Sequence, residues 1–217
     1  MPCAWTPLAL ARDIVPGTSA GAVLEGEEIV LWRDSAGTLH AWEDRCPHRG
    51  MKLSFGFVKG DRIACLYHGW EYDGAAQCRY IPAHPELDVP ATIRVATWTV
   101  AEAAGMIWVA RTPAEPPPDI PATGLRSLFL DAPAEVAAAH LAAGLPGLGD
   151  ATASNAGAVR RIEQGGAVLL AGLHPVGPSS SAVHIAVQGA PDAATLDRLA
   201  RAAEAFRRAV EGEGAAA

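Results

Sequence analysis

Two Cys-His pairs carry the chemistry of this 217-residue chain: Cys46 and His48 in CPHRG, then Cys65 and His68 in CLYHGW, with sixteen residues between the pairs. A thiolate beside an imidazole, twice over, is a metal-ligand pattern. In a [2Fe–2S] centre each iron takes two protein ligands, and in one type two histidines replace two cysteines on one of the irons. A Cys-x-His loop and a Cys-x-x-His loop each place one thiolate and one imidazole, so two such loops facing each other clamp both irons. A structural zinc ion accepts the same Cys₂His₂ set. Gly50 and Gly69, close behind each histidine, predict tight turns that let backbone N–H groups approach the sulfurs.

The longer stretch CPHRGMKLSFGFVKGDRIACLYHGWEYDGAAQCRYIPAHP, residues 46–85, resembles the Rieske domain of Rieske-type non-haem iron oxygenases, most of all the vanillate O-demethylase branch. Ligands, glycines, Trp70, Tyr72 and IPAHP fall in register, and the likeness runs from Trp5 to Trp108, where GMIWV is similar to the closing strand of that family. The resemblance implies a Rieske [2Fe–2S] cofactor. Cys46 and Cys65 would hold the buried ferric iron, and His48 and His68 the redox-active one. Respiratory Rieske proteins carry an extra cysteine in each loop, joined as a disulfide; here those positions hold Met51 and Tyr67, so no bridge forms. That places the potential at the low end of the family's range, roughly −150 mV.

Composition sets limits. Half the residues are apolar, enough for a sizeable core, and the net charge of −7 argues against nucleic acid, whose phosphates need a basic face. No eighteen-residue apolar run appears, and MPCAWTPLALARDIVP lacks a cationic start followed by an apolar block. With two cysteines assigned to the cluster, Cys3 and Cys78 remain as thiols, and a reducing, cytoplasmic location is expected, with no membrane partner.

The ligand loops need a rigid frame. EIVLWRD and TLHAWED flank a DSAG turn and predict a β-hairpin over 28–44, and residues 55–66 repeat the pattern around Lys59-Gly60-Asp61. Further short strands at 70–72, 92–100 and 106–110 complete an antiparallel domain over 1–112, with the cluster loops at hairpin tips. PAEPPPDIPATG, 113–124, contains five prolines and reads as a linker. Beyond it, 125–217 predicts a strand at 125–130, a helix from 135 to 143, a Gly-rich loop at 144–157, strands at 167–173 and 182–188, and a helix from 191 to 211. In that helix Leu196, Leu199, Ala203, Phe206 and Val210 recur at three and four. The expected class is α+β: an antiparallel β Rieske domain, then a small, truncated helix-grip-like α/β domain ending in a helix.

Complete members of the resembled family bind a mononuclear iron in that second domain through Asp-x-x-His-x4–5-His on a helix and a later acid. This chain has no such motif. After the linker only His140, His174 and His184 remain; the last two sit on strands joined by a turn, which a hairpin could bring together. The resemblance therefore implies an electron-transfer subunit that receives electrons from a flavin- or ferredoxin-type reductase. It would pass them to a catalytic oxygenase chain, or work within a trimer-like homo-oligomer. The alternatives are a self-sufficient oxygenase with an iron site built from His140, His174 or His184, and a structural or redox-sensing subunit.

Overall fold

A computed structural model describes residues 5–112, 115–117, 119–156 and 158–214. Cys3 lies outside the described residues. In chain order the strands of the first half are β1 (Thr6–Leu10), β2 (Thr18–Leu24), β3 (Glu27–Arg33), β4 (Leu39–Glu43), β5 (Phe57–Lys59), β6 (Arg62–Ala64), β7 (Glu71–Asp73), β8 (Cys78–Tyr80), β9 (Thr97–Ala103) and β10 (Met106–Ala110). The second half adds β11 (Ala122–Leu130), α1 (Ala134–Ala143), β12 (Ala151–Ala156), β13 (Val159–Gln164), β14 (Ala167–Gly177), β15 (Ser180–Gln188) and α2 (Ala193–Gly214). The class is α+β, as expected.

Packing divides the chain into two compact units, one of residues 13–23 and 27–100, the other of residues 1–12, 24–26 and 101–217. Chain order at the Pro-rich segment would keep β1 and β10 with the first half. By contact they go with the second, because they pair with each other (Thr6↔Val109, Leu10↔Met106) and pack on β14 and β15. A Cβ at Gly172 of β14 would come within 2.4 Å of Pro7 on β1, so only glycine admits that approach.

The first unit is two antiparallel sheets. In one, β9-β4-β3-β2 lie side by side, and the β3–β4 hairpin pairs Leu31 with Ala41. Its turn closes where Asp34 accepts the Thr38 N–H at 2.8 Å, the local bond for which aspartate is favoured in turns. The other sheet is the meander β5-β6-β7-β8. Trp32, Trp42, Leu53, Ile63 and Tyr72 are buried between them with Cys46 and Cys65. Burial of large aromatics supplies much of the apolar area that holds so small a unit together.

The second unit carries the sheet β11-β15-β14-β13-β12, with a core of Leu128, Ile162, Leu169, Val183 and Ile185 shared with the helices. On α2 the buried residues include Leu199, Ala203, Phe206 and Val210, the face read from the period, and Ala202 beside them. Helix α1 buries Ala137 and Leu141 one turn apart, and the Gln164 amide ties down the loop after it through both Leu145 N–H (2.8 Å) and Leu145 C=O (2.9 Å).

Several local expectations shift. The Gly-rich stretch contains strand β12, whose ATASNA is small, polar and at the sheet edge, where no apolar alternation marks a strand. β13 was not expected, although Val159 and Ile162 are buried. The strand expected at 92–100 begins only at Thr97, and β11 starts inside the Pro-rich segment at Ala122. The loop holding Cys46 and His48 runs from β4 to β5, which lie in different sheets, so it is a crossover and not a hairpin tip. The second loop does cap the β6–β7 hairpin.

Candidate metal centre

The two ligand loops are built on one backbone plan. In the first, Gly50 N–H bonds Cys46 C=O at 2.8 Å and Cys46 N–H bonds Met51 C=O at 2.8 Å. In the second, Gly69 N–H bonds Cys65 C=O at 3.0 Å and Cys65 N–H bonds Trp70 C=O at 2.9 Å. Each loop is thus a closed turn with cysteine at its first position and glycine at its fifth. Gly50 and Gly69 have φ of 73° and 70°, the left-handed region that a Cβ disfavours, which is why the turn takes glycine there. The histidine stands at the third position in one loop and the fourth in the other.

This plan separates the ligand types by depth. Cys46 and Cys65 are buried at 2% and 3%, whereas His48 is half-buried and His68 exposed. The two rings meet edge to face with centroids 4.6 Å apart. Each also lies against an aromatic: His48 is stacked on Trp70 at 4.3 Å and 4°, and His68 on Tyr67 at 3.9 Å and 30°. Such stacking holds the ring planes and covers one face of each imidazole.

The thiols are free of disulfides, and hydrogen-bond donors reach both of them. Burial pushes the Cys65 thiol up, backbone N–H groups of Tyr67 and His68 pull it back, and neighbouring Cys46 raises it further. The Tyr72 hydroxyl lies 3.1 Å from Cys46 Sγ. Burial first, and that sulfur second, hold the Tyr72 phenol far above its ordinary range, so it stays protonated as a donor. His48 is held below the usual imidazole range by burial, then by His68 and the Arg49 charge. A pair of adjacent buried sulfurs with donors aimed at them, and a pair of outer imidazoles, fits a cluster of two irons with one pair on each. A single zinc ion would need its donors gathered about one point, and among the described residues no three His, Cys, Asp or Glu side chains are so gathered.

Two contacts here were not read from the sequence. Asp44, buried at 3%, accepts Ser54 N–H at 2.7 Å and Ser54 O–H at 2.6 Å, clamping both ends of the first loop. Tyr72 stood in the motif, but nothing in its spacing aims the phenol at Cys46. Only the β6–β7 register, Ile63↔Tyr72, turns it inward.

The three histidines after the Pro-rich segment fall elsewhere. His140 on α1 meets Phe206 edge to face at 6.2 Å. His174 and His184 do come together across the β14–β15 hairpin, Nε2 to Nε2 at 3.3 Å and both buried. His174 Nδ1 lies 3.3 Å from Pro175 C=O and His184 Nδ1 2.9 Å from Ser127 Oγ. A carbonyl only accepts, so His174 donates from Nδ1; its Nε2 then accepts from His184, whose Nδ1 accepts from Ser127. Every ring nitrogen is satisfied with both imidazoles neutral. Burial lowers both histidines, and with His174 beside it His184 is pushed down to about 3.

Comparison with known proteins agrees with this geometry. A family model described as Rieske [2Fe-2S] domain matches residues 4–98. Oxidoreductase NdmD of Pseudomonas putida is 41% identical over 115 residues, 52% of this chain and 20% of that protein. The 4beta-methylsterol monooxygenase of Methylococcus capsulatus is 49% identical over 88 residues, 39% of this chain and 23% of that protein. The chain thus spans less than a quarter of the length of these relatives. Among solved structures, apo dicamba monooxygenase superposes with a TM-score of 0.74 at 20% identity, covering 97% of this chain and 86% of that one. At that identity the likeness is one of fold.

Proposed function

Residues 4–98 form a Rieske [2Fe-2S] domain, and on that premise we propose that this chain is an electron-relay component of an oxygenase or demethylase system, with Cys46, His48, Cys65 and His68 as the cluster ligands. The observation that carries the reading is the division of the four side chains: sulfurs inside, imidazoles at the surface. When bound, the cluster supplies reversible one-electron storage on the imidazole-ligated iron. The protein does the rest. Cys46 and Cys65 anchor from within the apolar core, which keeps water from the sulfurs. Tyr72 donates to Cys46 and favours the state with more negative charge on sulfur. Trp70 and Tyr67 fix the ring planes, and His68 offers its outer edge to whatever exchanges electrons with it.

In this reading a reductase of flavin or ferredoxin type supplies electrons, and a catalytic oxygenase chain, or another copy of this one in a trimer-like assembly, receives them. The unit of residues 13–23 and 27–100 bears the cluster, and the other unit is frame. Among the described residues no helix is long and apolar enough to cross a membrane. The meeting of His174 and His184 favours one second reading, a self-sufficient oxygenase with iron at that pair. Against it stands the hydrogen-bond chain, which already occupies all four ring nitrogens.

Iron, acid-labile sulfide and zinc, counted in one anaerobically purified sample, test both. The relay requires two irons and two sulfides per chain, a Rieske-type EPR signal on reduction, and no substrate-dependent oxygen uptake by the isolated chain. A third iron that His184→Gln removes would move the assignment to the self-sufficient oxygenase. Zinc in place of iron would overturn the cluster assignment.

A further inference from the structure

Beside the two imidazoles stand two exposed arginines, in a chain of opposite net charge. The chain carries a net charge of −7. Yet the first cluster loop exposes Arg45 and Arg49 on either side of Cys46 and His48, and neither guanidinium has an ion-pair partner among the described residues. Two of the carboxylates close by in the fold are already engaged, while Glu43, Glu86 and Asp88 are exposed. Asp44 is buried against Ser54, and Glu71 is mostly buried between Lys59 and Arg62. Lys52 is paired with Glu28 at 2.6 Å.

The second loop, residues 65–70, has no charged side chain. It exposes Leu66 at 49% and Tyr67 at 55%, and Tyr67 lies on the His68 ring. An exposed aromatic beside unpaired arginines is the composition enriched in protein interfaces. A partner with an acidic surface is repelled by the chain's overall charge and attracted by these two arginines, so charge steers it to the imidazole edge.

Resting on the relay reading, we propose that Arg45, Arg49, Leu66 and Tyr67 form a docking surface for an acidic one-electron carrier protein. The two guanidiniums orient that partner so that it meets the edges of His48 and His68. In each encounter the carrier gives up one electron and the docked chain gains one, with no bond made or broken.

Small redox ions test the local field without the partner in hand. Protein reduced by one electron is mixed in stopped flow with hexacyanoferrate(III), an anion, or with tris(phenanthroline)cobalt(III), a cation; each takes one electron and leaves the protein oxidised. Ionic strength is raised from about 0.02 M to about 0.5 M, over which the screening length falls from about 20 Å to about 4 Å. The hexacyanoferrate rate should fall several-fold and the cobalt rate should not fall. The opposite signs, which a net charge of −7 alone would give, overturn the proposal.

Arg45→Gln with Arg49→Gln should abolish the fall; a fall that persists in the double variant also overturns it. Glu86 and Asp88 follow on the exposed segment whose Pro82 abuts Gly69. Glu86→Gln with Asp88→Asn must change the hexacyanoferrate rate less than the arginine pair does, and a larger change sinks the assignment. Self-association at low salt that the arginine variant removes would make a second copy the occupant and overturn the acidic carrier. Failure of the relay reading is separate: it shows beforehand as a missing visible spectrum and EPR signal, with nothing to oxidise.

Discussion

Removing one oxygen atom, in Tyr72→Phe, should lower the reduction potential of the centre. The Tyr72 hydroxyl sits 3.1 Å from Cys46 Sγ, its residue is fully buried, and its raised pKa keeps it a donor. Hydrogen bonds to charged acceptors contribute about 1.5–3 kcal/mol. The bond exists in both redox states but is stronger when the cluster holds the extra electron and the sulfur is more negative. If about 1 kcal/mol of it is specific to the reduced state, the one-electron relation of 59 mV per 1.4 kcal/mol gives a drop of roughly 40 mV in the variant. The ring is retained, so the core around Ile63 and Trp42 keeps its packing. Redox titration followed by EPR or circular dichroism measures the shift. An unchanged or higher potential in a variant with full iron content would refute the reasoning, because it would mean that the phenol does not donate to a ligand sulfur.

Three further expectations follow from contacts described above. Trp70→Ala removes the surface stacked on His48 at 4.3 Å and should shorten the lifetime of the visible spectrum several-fold in air, while iron binding at assembly persists; an unchanged lifetime counts against shielding. Ser54→Ala breaks the 2.6 Å bond to buried Asp44, which should cost about 1.5–3 kcal/mol and lower Tm by about 3–10 °C in calorimetry. A loss below 1 °C would show that the clamp is idle. Last, His184 is neutral when folded, with its pKa pushed from 6.5 down to about 3, so the unfolded chain binds the extra proton first and stability falls as pH drops below 6.5. Between about pH 7.5 and pH 5 this one group should remove about 2 kcal/mol, measured by urea unfolding, and His184→Gln should flatten that slope; equal slopes would contradict it.

Much of the cluster site is legible in the chain because its geometry is local. Each ligand loop closes on itself within six residues, through a Cys-to-Gly turn whose φ near 70° demands glycine, so CPHRG and CLYHGW announce their own backbone. The α2 face and the β3–β4 hairpin are local in the same sense, set by helical period and by a turn residue that bonds its own neighbours. The edge strand β12 was illegible because it is stabilised by pairing with β13, not by any apolar pattern of its own. Three things belong to tertiary structure alone: the Tyr72 phenol on Cys46, the Asp44–Ser54 clamp, and the hydrogen-bond chain through Ser127 and Pro175 that satisfies the His174–His184 pair. Each depends on strand register and on which side chains meet across sheets. The first two join residues ten or more positions apart, and no spacing along the chain encodes them; the hairpin suggested that the two histidines meet, but not what satisfies their outer nitrogens.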